Sequence, residues 1–290
     1  MSTPTATSEP PGTSSVGGAL PPALSMYIDA QISAIRDGDA ALRRGEDPIH
    51  PTRVAIRRLR STVRVFRDAF DPEFAARLDK ELFWYAGILG HVRDHEVQRE
   101  RFARAVAELP TEWVIGPVGA NIDATLGAEQ RVYRANVDVV LAGDRYAALL
   151  DTVNEISRRG RSVKKKRVVE LAKKAATKAR RRLSDASTHT DDDEALHSAR
   201  KACKRARYAA ELIEPVVGSK RSKKAISRFK EAQEVLGEHQ DSLVAATFLQ
   251  RLGRAAGARS GENGFTYGLL FAREQNAAAT AEQKARSLHL

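Results

Sequence analysis

The protein has 290 residues, and its 48 lysines and arginines exceed its 37 aspartates and glutamates, so its formal net charge is +11. A charge of this size favours a polyanionic partner, either nucleic acid, an anionic membrane surface or a phosphate polymer. The single cysteine, Cys203, excludes an intramolecular disulfide bond.

The chain begins with a segment rich in Ser, Thr, Pro and Gly, and residues 1–22 have almost no bulky side chain to bury. This composition predicts a disordered tail. No basic residue precedes Arg36 and no compact apolar run is present, so we expect no secretory signal and a cytoplasmic protein. No stretch approaches the roughly 20 apolar residues of a membrane span, so no span is predicted.

From Met26 onward the hydrophobic pattern is helical almost throughout, and the alternating pattern of strands is missing. Gly, Pro and Asp-rich breaks divide it into nine predicted helices. These cover residues 22–44, 51–69, 73–109, 118–142, 145–158, 162–183, 194–214, 220–256 and 265–287. We therefore predict an all-α protein with a first helical half at 23–158 and a second at 159–290.

Two segments of the chain recur 147 positions later. The sequence HPTRVAIRRLR at 50–60 recurs as HSARKACKRAR at 197–207, and LGHVRD at 89–94 recurs as LGEHQD at 236–241. Agreement between two separate segments at one offset indicates a tandem duplication. Because both copies keep a histidine followed by cations at helical spacing, the duplication predicts a site that faces itself and is lined with positive charge.

The repeated segments each form a basic stripe when placed on a helix at about 100° per residue. The first stripe has no acidic residue between its ends, so its repulsion is not compensated within the helix and an external anion is expected. The two stripes consist of His50, Arg53, Arg57, Arg60, Arg64 and Arg67, and of His197, Arg200, Lys204 and Arg207.

A third basic stripe lies on the helix predicted at 162–183. It consists of Lys164, Arg167, Lys174, Lys178 and Arg181. In the first half, the positions 147 residues before Lys174, Lys178 and Arg181 hold no cation. The difference predicts an asymmetric site to which the second half contributes more charge, although a basic run of this kind is also typical of a solvated helix face.

These motifs resemble the CHAD domain, the conserved-histidine α-helical domain. The resemblance covers the chain from about residue 22 to its end and rests on His50-x-x-Arg53-x-x-x-Arg57-Arg58-Leu59-Arg60, Leu89-Gly90-x-x-Arg93-Asp94-x-x-Val97, His197-x-x-Arg200-Lys201-x-x-Lys204-Arg205-x-Arg207-Tyr208-x-x-Glu211 and Phe229-Lys230-x-x-Gln233-x-x-Leu236-Gly237-x-x-Gln240-Asp241.

The resemblance implies two four-helix bundles related by a pseudo-two-fold axis, whose basic helices enclose a central channel that binds inorganic polyphosphate. Members of the family are associated with polyphosphate granules, which implies the same location here. Some members are fused to a triphosphate tunnel enzyme. This sequence lacks the Glu-x-Glu-x-Lys signature of that enzyme, so the resemblance carries over no catalytic role.

Candidate binding residues follow from the stripes and from the resemblance. The residues expected to contact polyphosphate directly are His50, Arg53, Arg57, Arg60, Arg64, His197, Arg200, Lys204 and Arg207. Those expected at the rim or in the wider positive field are Arg58, Lys201, Arg205, Lys164, Arg167, Lys174, Lys178, Arg181 and Lys230. Asp94 and Asp241 are expected to orient the basic side chains, with an ordinary surface ion pair as the alternative.

The alternatives to polyphosphate binding are a metal site, an enzyme and a nucleic-acid-binding protein. His91 and His95 have the i, i+4 spacing of a metal pair, but their 147-offset counterparts are Glu238 and Ser242, so no metal site and no cofactor are expected. No phosphate-cradling Gly-rich motif and no carboxylate cluster suited to two metal ions is found in the sequence, so we expect a binding protein rather than an enzyme. Nucleic-acid binding is the alternative, and it predicts stripes that face outward rather than toward each other.

Overall fold

The computed structural model describes residues 20–188, 193–257 and 263–288. Nearly all of the predicted disordered tail therefore lies outside the described residues. The helices of the described part are α1 (Pro22–Arg43), α2 (Ile49–Val65), α3 (Pro72–Ala107), α4 (Val118–Leu141), α5 (Asp144–Glu155), α6 (Lys165–Thr188), α7 (Asp193–Val217), α8 (Lys220–Ala256) and α9 (Phe265–Arg286).

The predicted all-α class is confirmed, and each of the nine predicted helices is present. Within the ranges described, the pairing of extended backbone is limited to one isolated bridge, between Phe70 and Gly160. Several boundaries differ from the prediction. Helix α6 begins at Lys165 rather than 162 and continues past 183 to Thr188, and α2 ends at Val65 rather than 69. At two others, proline was given too much weight. Helix α2 begins before Pro51, in the first turn where a missing N–H is tolerated, and α7 continues through Pro215 to Val217.

Local interactions explain where the long helices begin. The Asp71 carboxylate accepts hydrogen bonds from the backbone N–H groups of Glu73 and Phe74, at 3.1 and 3.0 Å, and Pro72 occupies the first turn of α3. The Ser219 hydroxyl accepts from the N–H of Ser222 at 3.1 Å to start α8. Such caps satisfy amides that have no partner within the helix.

The duplication is visible in the helix boundaries. Adding 147 to the first residues of α2, α3 and α4 gives positions 196, 219 and 265, and α7, α8 and α9 begin at 193, 220 and 265. The packing order also repeats, because α1, α2, α3 and α4 pack in succession and so do α6, α7, α8 and α9. Among the described helices, α5 has no such counterpart.

Three hydrophobic clusters hold the helices together. The largest one unites α1–α6 with Ala209 and Leu212 of α7, and another joins Phe102 of α3 to Leu249 of α8 and Leu270 of α9. The apolar core therefore crosses from the first half into the second. Each large side chain buried in this way contributes about 1.5–3 kcal/mol of transfer free energy.

Helices α2 and α7 pack directly against each other. Helix α2 buries its apolar stripe, including Ile56 and Leu59, and α7 buries small residues such as Ala199, Cys203 and Ala206. The histidine and arginine stripes adjoin these buried faces and are thereby held near the α2–α7 contact. No helix in the described ranges has the length and hydrophobicity needed to cross a membrane.

Candidate functional site

The two repeated basic stripes come together where α2 meets α7. We call the group formed by their first members the central cluster, which consists of His50, Arg53, Arg57, His197, Arg200 and Lys204. Arg57 and Lys204 occupy equivalent positions of the two copies, 147 residues apart. The charges of Arg57, Arg200 and Arg53 all act on the Lys204 ammonium, so cations from both helices converge at this point.

Lys204 has the most perturbed charge of the cluster. Burial, followed by the charges of Arg57 and Arg200, lowers its pKa from 10.5 to about 6. Burial also lowers the pKa of Arg57, and the neighbouring Arg53 and Arg200 lower it further. Because removing water and adding like charges both disfavour the protonated form, the cluster holds its positive charge at a cost.

The two histidines of the cluster are biased toward the neutral form. Burial and the charges of Arg93 and Arg57 lower the pKa of His50. Burial, Lys201 and Arg200 lower that of His197, with a hydrogen bond to the Gln240 side chain acting in the opposite direction. A neutral imidazole can still donate one N–H to an anion.

Equivalent carboxylates of α3 and α8 approach the equivalent arginines. Arg53 donates from Nη1 to Asp94 Oδ1 at 2.9 Å, and Arg200 Nη2 lies 3.9 Å from Asp241 Oδ1. Burial raises the pKa of Asp241, and the nearby Arg200 opposes this change. Each carboxylate thus lies where it can orient one arginine of the central cluster.

Glycines allow these arginines to lie against α3 and α8. A Cβ added to Gly90 would lie 3.1 Å from Arg53 Nη2, and one added to Gly237 would lie 3.5 Å from Arg200 Nη2. The group that comes close to each glycine is the guanidinium of an arginine.

Three donors or acceptors of the cluster are buried and have no hydrogen-bond partner among the described residues. They are Nε of Arg53, Nε of Arg200 and Nδ1 of His197. The two arginine atoms are equivalent in the duplication. Buried polar groups normally have a partner, so both copies leave the same hydrogen-bonding capacity unused by the described residues.

A second concentration of positive charge lies beside the central cluster, between α2, α6 and α7. It is a cleft of about 520 Å³, which we call the basic cleft. Within the described part of the chain, its lining contains no acidic residue. Its basic residues are Arg64, Arg67, Lys174, Lys178 and Arg205. Burial, Arg64 and Arg60 lower the pKa of Arg205.

Some predicted contact residues are engaged by carboxylates instead. Arg207 Nε donates to Glu211 Oε1 at 2.8 Å, and Arg58 Nη2 donates to Glu211 Oε2 at 3.3 Å. Arg60 and Arg64 lie with their Nε atoms 2.8 and 2.9 Å from Asp79 Oδ1. Arg58 and Arg207 share one acid, so only one of their two positive charges is balanced by it.

The sequence matches the CHAD domain family over residues 26–250. The chain belongs to the CHAD family. Two uncharacterised proteins of Mycobacterium tuberculosis, from two strains, are each 30% identical to it over 279 residues. The match covers 92% of this chain and 53% of each relative, so the chain spans about half the length of the curated relatives it matches.

Solved structures have the same CHAD fold. The protein PptA from Streptomyces chartreusis superposes with a TM-score of 0.72 at 20% identity, over 91% of this chain and 97% of that one. The CHAD domain from the plant Ricinus communis gives a TM-score of 0.64 at 22% identity, over 95% and 94% of the two chains. At these identities the likeness establishes the fold alone.

The remaining predicted site residues lie at the edges of this CHAD domain. Lys201, Lys164, Arg181 and Lys230 are exposed. Lys230 Nζ lies 3.6 Å from a carboxylate oxygen of the neighbouring Glu234. Arg167 donates to Asp68, in the turn after α2, at 2.6 Å. Lys201 acts on His197, whereas the other residues can add only to the surrounding field.

Sequence reasoning missed Arg93 of α3, which acts on His50. Its counterpart in the duplication is Gln240, which hydrogen-bonds to His197. Both residues stand in the repeated Leu-Gly motif, so the offset itself contained the signal. A charged residue in one copy and a neutral amide in the other thus serve the two equivalent histidines.

The residues considered for metal binding have other partners. His91 stacks on Tyr133 with ring centroids 4.7 Å apart, and His95 Nε2 lies 3.0 Å from Glu129 Oε2. In the portion of the chain that the structure describes, three or more His, Cys, Asp or Glu side chains nowhere gather in a metal-binding arrangement.

Proposed function

We propose that this CHAD protein binds inorganic polyphosphate non-covalently at the central cluster between α2 and α7. The observation that carries the proposal is the convergence of Arg53, Arg57 and Arg200 on Lys204, whose pKa falls to about 6 as a result of burial and their charges. Cations held together at this cost are stabilised by an anion that lies among them.

The chemistry of polyphosphate fits this arrangement. The polymer has about one negative charge per unit and no base or sugar, so its recognition depends on converging cations held by a rigid scaffold. Arginine forks reach two phosphate oxygens at once, and Lys204 supplies a compact charge when it takes up a proton. His50 and His197 donate one N–H each without having to be charged.

The orientation of the stripes favours this ligand over nucleic acid. A helix that reads duplex DNA presents its basic face outward to a groove, whereas α2 and α7 pack on each other and their cations act on one another across the contact. Binders of single strands interleave exposed aromatic rings with cations. Tyr208, the ring beside Arg58 and Arg207, is buried.

A competition experiment tests the ligand. Labelled long-chain polyphosphate is bound at near-physiological salt and challenged with RNA, DNA and orthophosphate at equal concentrations of charge. We expect unlabelled polyphosphate to displace the probe at a concentration at least about tenfold lower than DNA. The reason is that a flexible phosphate chain can lie among the cations of the central cluster, whereas a duplex cannot. Equal displacement by DNA or RNA contradicts the proposal.

Binding without catalysis is tested separately. Incubation of the protein with polyphosphate and magnesium or manganese is expected to release no phosphate above the level of a buffer control. Phosphoryl transfer would normally need metal-binding acids beside the cations. We also infer that the protein accumulates at polyphosphate granules in cells, which a fluorescent fusion checks directly against an Arg57→Glu/Lys204→Glu variant.

A further inference from the structure

The two ends of the α2–α7 pair differ in charge. One end opens into the basic cleft, whose five cations come from α2, the turn that follows it, α6 and α7. At the other end stand the counterparts of those cations in the duplication. In the same order as Arg64, Arg67, Lys174, Lys178 and Arg205, the counterparts are Glu211, Glu214, Tyr27, Gln31 and Arg58. Five positive charges at one end thus correspond to two negative charges and one positive charge at the other.

The structure brings four of the five counterparts into one cluster. Glu211 pairs with Arg58 and with Arg207, and burial together with the charge of Glu211 raises the pKa of Tyr27. The Gln31 side chain is buried and donates to the Tyr27 carbonyl at 3.2 Å. We call this group of Tyr27, Gln31, Arg58, Arg207 and Glu211 the paired end.

We propose that the site is one-ended: polyphosphate extends from the central cluster into the basic cleft, which is a second phosphate-binding subsite, and does not pass the paired end. The inference rests on the proposed function and specifies how the polymer lies in the site. A polyanion gains less counterion release at an end where a carboxylate already pairs with both arginines, and Glu211 repels it. At the basic cleft Arg64 is likewise held by Asp79, but Lys174, Lys178 and Arg205 add positive charge that attracts the polymer.

The spacing of the two regions makes the subsite accessible to long chains only. Arg57 and Arg64 are seven residues apart on α2, which corresponds to about 10 Å along the helix. Tripolyphosphate is shorter than this distance and occupies the central cluster alone. A long chain covers both regions, so the basic cleft contributes to its affinity and not to that of the short ligand.

The first test removes two cations of the basic cleft. Lys174→Gln/Lys178→Gln is compared with Lys80→Gln/Lys284→Gln, a control that removes the same charge from exposed positions on α3 and α9. We expect the affinity of the cleft variant for long-chain polyphosphate to fall about tenfold at low salt. The slope of log affinity against log salt should decrease by about 1.4, from roughly 0.7 per lost phosphate contact. Affinity for tripolyphosphate should match that of the control.

The outcomes separate this inference from the proposed function. If the cleft variant binds long chains as tightly as the control while the parent protein binds polyphosphate, the subsite is wrong and the proposed function stands. If its affinity for tripolyphosphate falls as much as that for long chains, the cleft is not a separate subsite. If the parent protein binds no polyphosphate, the proposed function fails.

The second test removes the carboxylate of the paired end. Glu211→Gln releases Arg58 and Arg207 from their shared carboxylate, and Glu231→Gln is the control at an exposed position of α8. We expect Glu211→Gln to steepen the salt dependence for long chains by about 1.4, because two more phosphates are contacted. A slope equal to that of the control, with unchanged helical circular dichroism, overturns the view that Glu211 closes this end.

Discussion

At the centre of the α2–α7 pair the two halves make matching contacts, since Arg53 and Arg200 each lie against a glycine and near an aspartate. At the ends they differ, because Glu211 stands where the first half has Arg64. In the proposed site, the two copies have equivalent residues at the centre, where both contact the ligand. Away from the centre the copies differ, so the two ends of the site differ in charge.

The largest effect is expected when two charges of the central cluster are reversed. Arg57→Glu/Lys204→Glu should lower polyphosphate affinity by more than about 100-fold, because two charge-assisted contacts of about 1.5–3 kcal/mol each are replaced by repulsion. Isothermal titration calorimetry measures the affinity, and circular dichroism checks that the helices persist. Lys80→Glu/Lys284→Glu changes the net charge equally at exposed sites. Affinity equal to that control would exclude the centre as the binding site.

A pH series sharpens the comparison between Arg57 and its counterpart Lys204. Lys204 has a pKa of about 6 in the free protein, so it is mostly neutral at pH 7. A bound anion favours its charged form, and binding therefore takes up a proton. Affinity for long-chain polyphosphate is expected to fall by about tenfold as pH rises from 6 to 8.

Lys204→Arg is the control for this series, because arginine stays charged throughout the range. The decline between pH 6 and 8 should largely disappear in this variant. His50 and His197 have lowered pKa values in the free protein, and any contribution from their protonation is present in both the parent and Lys204→Arg. An undiminished decline in Lys204→Arg would assign the titration to another group.

A measurement of the free energy of unfolding tests whether the central cluster destabilises the fold. Lys204→Met keeps the apolar part of the side chain and removes an amine whose protonated form is disfavoured by burial and by Arg57 and Arg200. The free energy of unfolding of the ligand-free protein should increase by about 1 kcal/mol. Urea denaturation measures it, with Lys284→Met as the exposed control. A decrease would show that Lys204 stabilises the free fold.

The smallest effect compares the two glycines. Gly237→Ala introduces a Cβ at ordinary contact distance from Arg200, so it should add about 0.5–1 kcal/mol of helix stability and leave affinity unchanged. Gly90→Ala introduces a Cβ only 3.1 Å from Arg53 Nη2 and must displace that side chain. We expect a twofold to fivefold loss of polyphosphate affinity in Gly90→Ala alone. Equal affinities in both variants would mean that the position of Arg53 is not critical.

Most of the fold could be predicted from the sequence, because hydrophobic periodicity, caps and breaks are local signals. The stripes of α2 and α7 were also predictable, since side chains three and four residues apart share a helix face. Arg207 shows the limit of the stripe argument. The sequence places it in line with Lys204, but Glu211, one turn later on the same helix, pairs with it.

By itself the sequence determined the helices, the duplication and the residues that form each basic stripe, because all three depend on spacing along the chain. The tertiary structure decided which cations lie close together, which are paired with carboxylates and which end of the α2–α7 pair carries more positive charge. Asp79 reaches Arg60 and Arg64 from α3, and Glu211 reaches Arg58 across the α2–α7 contact. Such pairings depend on how helices cross, since a charge acts through distance in space and not through separation in sequence.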